Sequence, residues 1–249
     1  MNIHCIFVVV KKGTYRMSIS RIVYSIISTL IFTSCASEYR IEGSSSVSRL
    51  DGKMLFVKVP QGEEMISVDS AEVVHGLFLM EGAVDSTMIA SLYMDDQSIM
   101  PLVIEKGNIQ IQIENTRIVA SGTPLNDKLY EFVSKKNSLD DRAYEVERLE
   151  SRMIMDGKSM MEVESEITKE REKLSEAMDQ LVKTFIQENY HNILGPGVFI
   201  MLCNGFPYPV LTPLIEEIVN DAPDSFKNHL LVKEYMEAAR ENMEKLEMK

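Results

Sequence analysis

Tryptophan is missing from the 249 residues, aromatic side chains make up only 7%, and there are just 3 cysteines, none of them in a CxxC pair. The lack of CxxC excludes thioredoxin-type dithiol chemistry and the cysteine-rich zinc modules. Basic residues are also scarce. The 26 Lys and Arg face 38 Asp and Glu for a net charge of −12, whereas a nucleic acid is held by clustered cations that release its counterions. The four histidines, His4, His75, His191 and His229, are too scattered for HExxH or i,i+4 zinc spacing. No GxSxG elbow, phosphate loop or dinucleotide fingerprint occurs, since Gly195-Pro-Gly197 has no strand before it and no third glycine. The sequence therefore implies no cofactor, no metal and no nucleic acid.

What the chain does carry is an address. Arg21 is followed by the apolar run Ile22 to Phe32, then by small Thr33-Ser34, Cys35 and an abruptly polar Ala36-Ser37-Glu38. These are the n-region, h-region and cleavage site of a secretory signal, ending in the pattern of a bacterial lipid-attachment cysteine. Phe32 stands where such sites usually carry Leu and still presents an apolar side chain. The competing reading is a membrane span, but the run is interrupted by Ser25, Ser28 and Thr29 and is short against the roughly 20 residues that a bilayer requires. Met1 to Arg16 adds a second apolar run, Ile6 to Val10, and a start at Met17 gives a more ordinary signal. Residues 1–34 are thus expected to be removed and Cys35 to be acylated. The acylated chain is expected in the outer membrane, facing the periplasm or the cell surface, because Ala36 is not the Asp that retains lipoproteins in the inner membrane.

Cleavage removes Lys11, Lys12, Arg16 and Arg21, leaving 22 basic against 38 acidic residues. It also removes Cys5. With Cys35 acylated, Cys203 is the only free thiol and no intramolecular disulfide can form. Its setting, Val198-Phe-Ile-Met-Leu-Cys203, is that of a buried, inert thiol.

Residues 35–122 read as a β-sandwich or barrel of about eight short strands. Asn108-Ile-Gln-Ile-Gln-Ile113 alternates with period two, placing Ile109, Ile111 and Ile113 on one buried face. The turn Glu105-Lys-Gly-Asn108 is expected to close a hairpin with Pro101 to Glu105. Further strands are expected over Met54–Val59, Glu64–Val74, Leu77–Gly82, Met88–Met94 and Arg117–Ser121, at the spacing of an antiparallel fold.

At Thr123-Pro124 the pattern becomes helical, with a cap residue followed by proline at the first helical position. Residues 123–249 form the expected helical domain, so the whole chain is α+β. One helix is predicted from Pro124 to Lys136 and a second from Ser138 and Asp141 to Met155. Gly157 turns the chain into a hairpin. Ser159-Met-Met-Glu162 is a capping box opening a long helix towards Tyr190, with Met160, Ile167, Leu174 and Leu181 on a heptad stripe. Gly195-Pro-Gly197 is read as a breaker before an interior helix, and Thr212-Pro213 opens another helix to Asn220. The last helix carries Val232, Met236, Ala239, Met243 and Leu246 on one stripe.

The remaining candidates are weaker chemistry. The acidic pairs Asp95-Asp96, Asp140-Asp141 and Glu216-Glu217 lack the alternating oxygen pattern of a calcium loop, and a glycosidase pair has to be placed by the fold. The 17 methionines suggest an adaptable or copper-binding surface at first sight, but Met160, Met178, Met236 and Met243 fall on core stripes and read as filling.

Ser67-Val-Asp-Ser70, Gly76-Leu-Phe78 with Glu81-Gly82, Leu102-Val-Ile-Glu-Lys-Gly107 and Ser121-Gly-Thr-Pro-Leu-Asn126 follow one another in an order that resembles a known family. It is the uncharacterised domain at the amino terminus of TlpA-like and ResA-like thiol-disulfide interchange lipoproteins of Gram-negative envelopes. The resemblance implies a β-sandwich-like domain and a helical segment that elsewhere precede a thioredoxin domain. This chain stops at Lys249, where that domain would begin, so no catalytic residue carries over. The expectation is a non-enzymatic, lipid-anchored module with an envelope protein, peptide or glycan as partner. The alternatives are an accessory of thiol-disulfide exchange that docks a separate thioredoxin-like protein, and an envelope hydrolase without a recognisable motif.

Overall fold

Among the described residues, eight strands and six α-helices follow one another in the order that the change of pattern at Thr123 predicts. The computed structural model describes residues 38–62 and 64–247; Cys35, the signal segment and Met17 lie outside them. The strands are β1 (Glu38–Ser45), β2 (Met54–Gln61), β3 (Glu64–Glu72), β4 (Leu77–Ala83), β5 (Met88–Met94), β6 (Gln97–Ile104), β7 (Gly107–Ile113) and β8 (Ile118–Ser121). They make two four-stranded sheets in the orders β4-β1-β7-β8 and β3-β2-β5-β6. Facing apolar positions fill the space between them. Ile41, Ile109 and Ile111 of the first sheet and Leu55, Leu92 and Leu102 of the second are essentially inaccessible to water, each contributing about 2 kcal/mol of transfer free energy.

Two sequence expectations need correction here. β6 and β7 do not form a hairpin, because they belong to different sheets; Gly107, at φ 126°, carries the chain across the sandwich rather than back along it. The sheets are also not wholly antiparallel. β1, which is not among the strands expected from the sequence, runs parallel to β7 from Tyr39–Gly107 to Ser45–Ile113 and antiparallel to β4. Its face is specified by close packing. A side chain at Gly43 would lie 1.9 Å from the Phe78 ring, and one at Gly82 would lie 2.7 Å from the Tyr39 hydroxyl.

The helices are α1 (Pro124–Met155), α2 (Met160–Glu188), α3 (Leu194–Cys203), α4 (Pro213–Asn220), α5 (Asp224–Lys227) and α6 (Leu230–Glu247). α1 is one helix of 32 residues, not two. Ser138 and Asp141 fail to restart it because no Pro or Gly interrupts the backbone there, and the Lys136–Asp140 ion pair spans the supposed junction at i,i+4. The capping box at Ser159 and Glu162 is formed as expected, and Gly157 makes the turn with φ 76°. α1 and α2 build a long hairpin, its base fixed by Phe132 on Phe185 at 4.5 Å between ring centres. Its outer half has its own small core of Val146, Val163, Ile167 and Leu174. Met160, assigned to the heptad stripe, is instead 68% exposed, since it lies beyond the last layer of that core. Gly195-Pro-Gly197 is not a breaker: it forms the first turn of α3, where proline is tolerated. Both glycines are closely packed, Gly195 against the Asn189 carbonyl and Gly197 against Ile89 of β5.

Strands and helices share one hydrophobic core, running from Ile41 and Leu102 through Leu129, Ile186 and Phe199 to Phe226 and Val232. Val232, Met236 and Ala239 of α6 are buried as their spacing predicts; the Leu246 side chain lies outside the described residues. No helix among the described residues is long and apolar enough to cross a membrane.

The junction between the halves is polar and dry. Asn126, fully buried, accepts a hydrogen bond from the Val103 N–H at 2.9 Å through Oδ1 and donates through Nδ2 to the Val103 carbonyl at 2.8 Å and to Thr123 Oγ1 at 2.9 Å. One side-chain amide thus replaces the strand missing beside β6. Tyr130, one turn further on, donates to the Pro101 carbonyl at 2.9 Å. In return, Glu105 at the end of β6 accepts from the N–H groups of Leu125 and Asn126, at 2.8 and 3.2 Å. Thr123 supplies no cap; the carboxylate does, at the positive end of the helix dipole.

Replacing Asn126 with Leu leaves two backbone groups of Val103 buried without partners and is expected to cost about 2–4 kcal/mol in urea unfolding. Tyr130→Phe removes one bond and should cost about 1 kcal/mol. Equal losses for the two variants would show that Asn126 does not hold the junction.

Candidate functional site

Where the hairpin leaves the sandwich, a groove of about 820 Å³ opens between α1, the start of β6 and the β7–β8 turn. It lies within the range of ligand-sized clefts. Two sheet edges meet there. β6 ends one sheet and β8 the other, and α1 crosses both. Its base is apolar: Ile99, Ile118, Val119 and Val133 are half-buried along it. Ile99 reaches the groove because it is the extra residue of a bulge, with Leu92 opposite Met100 and Tyr93 opposite Ser98.

The walls are polar. α1 contributes Ser134, Asn137, Ser138 and Asp141, and the turn contributes Glu114, Asn115, Thr116 and Arg117. On α1 these positions follow i, i+3, i+4, i+7, one face of a helix. That stripe of short polar side chains on an otherwise strongly charged helix was the available signal for the site. Periodicity searches for apolar residues pass over it. Tyr130 forms the inner end. Its phenol is shifted upward from the ordinary tyrosine range by burial, so it stays protonated and keeps donating to Pro101.

The residues singled out by sequence lie elsewhere. Cys35 is outside the described residues. Cys203 is 2% exposed at the end of α3, and burial pushes its thiol up to about 12, with a smaller opposing contribution from the Tyr235 hydroxyl. Tyr235 itself is tied to Val210, donating to its carbonyl at 3.0 Å and accepting from its N–H at 3.1 Å. Of the acidic pairs, Asp95 and Asp96 turn the chain between β5 and β6, Glu217 is ion-paired with Lys183, and only Asp141 reaches the groove. Among the described residues, no three His, Cys, Asp or Glu side chains are grouped to hold a metal.

The motifs that carry the family resemblance are all structural. Asp69 accepts from the Tyr39 hydroxyl at 2.7 Å across the open side of the sandwich. Gly76 donates to Asp51 at 3.1 Å, and Phe78 fills the space above Gly43. Leu102 to Gly107 and Ser121 to Asn126 converge on the dry junction described above, with Gly122 N–H donating to Asp127 at 2.9 Å.

Native protein at pH 8 should resist disulfide-exchange reagents at Cys203 and react fully once unfolded. Because the folded thiol, at about 12, titrates above its unfolded value near 9, its stabilising effect is complete below the unfolded value and is lost progressively as pH rises from there to the folded one. Stability should therefore fall more between pH 8 and 9.5 in the parent than in Cys203→Ala. Rapid labelling of the native protein would refute this placement.

Residues 39–129 match the model of a family described as a domain of unknown function (DUF4369). The match takes in the eight described strands from Tyr39 on, Glu105 and Asn126 of the junction and the first residues of α1, but neither Tyr130 nor the α1 wall of the groove. No curated protein matches the chain.

Proposed function

We propose that this is a lipid-anchored, non-enzymatic binding protein of the bacterial cell envelope whose ligand lies in the groove between α1, β6 and β8. The observation that carries the binding reading is the groove itself: an apolar base between two polar walls, at a place where side chains of both sheets and a helix converge on an open cleft. Support for the anchor comes from the sequence ending in Cys35 and from Glu38, three residues later, beginning β1. So short a connection would hold the sandwich against the lipid surface. The buried, protonated thiol of Cys203 supports a role without electron transfer.

A second reading is supported by the motif order that resembles the amino-terminal domain of TlpA-like and ResA-like lipoproteins. In it the same groove docks a separate thioredoxin-like protein. That role needs no thiol from this chain.

In cells fed labelled palmitate, the parent should incorporate label and Cys35→Ser should not; label in the variant would remove the anchor from the reading. A photo-crosslinking residue at position 134, in the groove, is expected to give a discrete adduct in the envelope that one at position 145 does not, with Val133→Trp abolishing it. Identical patterns at the two positions would sink the binding reading. Adducts that contain a thioredoxin-fold protein would select the second.

A further inference from the structure

We infer that the groove takes a neutral, polyhydroxylated ligand, a glycan chain rather than a peptide strand or an anion; this rests on the groove being the binding site. The first argument concerns hydrogen-bonding groups. Ser134, Asn137, Ser138, Asn115 and Thr116 place two carboxamides and three hydroxyls along the two walls, every one able to donate and to accept. A sugar hydroxyl also donates and accepts, so it satisfies such groups in pairs. Ile99, Ile118, Val119 and Val133 beneath them offer a surface for the C–H face of a pyranose ring.

Charge supplies the second argument. Arg117 is accompanied by Glu114 and Asp141, and the whole chain carries −12. An anionic ligand would meet two carboxylates for one guanidinium. A neutral ligand meets no such cost, and carboxylates and guanidinium alike serve as strong partners for hydroxyl groups.

The third argument excludes strand addition. An extended peptide needs a run of free backbone donors and acceptors along a sheet edge. Along β6, the Val103 N–H and carbonyl are taken by Asn126, the Pro101 carbonyl is taken by Tyr130, proline has no N–H, and Ile99 sits in a bulge. β8 has only four residues, and Ala120 within it is fully buried. No stretch of edge remains for a peptide to follow.

The test is an NMR titration of the ¹⁵N-labelled full chain carrying Cys35→Ser, with tetrasaccharides of glucose in α- and β-linkage, of N-acetylglucosamine and of xylose, and with an uncharged decapeptide of Val, Ser and Thr. At least one tetrasaccharide is expected to shift the amides of residues 114–119 and 133–141 saturably. Asn137→Ala with Ser138→Ala should weaken that binding at least tenfold without lowering thermal stability. Groove shifts with the peptide alone would overturn the glycan inference and leave the binding site standing. Sugar-induced shifts confined to other surfaces, or silence from every probe, would overturn the inference, while the groove itself stands or falls on the crosslinking at position 134.

Discussion

Everything in this fold hangs on how an unpaired sheet edge is satisfied away from water. β6 closes one sheet and is buried by α1, so its outward N–H and carbonyl groups lose solvent and gain no neighbouring strand. Asn126 resolves this with a single carboxamide that offers one acceptor and one donor at the spacing of a peptide group. Glu105 then repays the start of the helix from which Asn126 projects. Each element satisfies the other's orphan groups. The helix cannot shift along the strand by one residue without breaking both sets, so the direction of the long hairpin and the width of the groove are fixed by the same few atoms.

That dependence explains which parts of the structure were legible in the sequence. Alternation in Asn108–Ile113, the capping box at Ser159 and the cap-proline pair at Thr212 are local signals, and all three appear where the residues place them. The failures are non-local. Glu105 to Asn108 has the composition of a hairpin turn, yet whether it folds back or crosses between sheets depends on which sheet each flanking strand joins. β1 alternates over only a few residues, Tyr39 and Ile41 inward between Glu38, Arg40 and Glu42, before Gly43 replaces a side chain where the Phe78 ring needs the room, and its parallel partner β7 lies far along the chain. Thr123 has the right identity for a cap but is displaced by a carboxylate eighteen residues earlier. The groove was hidden for a related reason: its walls are polar residues that satisfy no periodicity rule for a core, and they meet only after α1 has been laid across both sheet edges.

The family motifs carry a parallel lesson. Short strings such as Leu102–Gly107 and Ser121–Asn126 look like candidates for chemistry when read singly. In three dimensions they are the two halves of the buried junction, and a family model that ends at residue 129 covers Glu105 and Asn126 but stops one residue short of Tyr130. In this chain those strings join the sandwich to the helix. Groove walls contributed by Ser134 to Asp141 lie past that boundary.

The parallel pairing of β1 with β7 has a consequence for how the molecule assembles. Strands 38–45 and 107–113 are distant in the chain, and β1 sits between β4 and β7, so the first strand to emerge is among the last that can be completed. Contacts of such long separation form slowly. In the interval β1 presents both of its edges. Its outward residues Glu38, Arg40 and Glu42 are charged and exposed, and charge on an unpaired edge discourages the wrong strand from joining it. The surface charges of β1 therefore act before the protein is finished, when they discourage a waiting strand from pairing with its neighbours' chains.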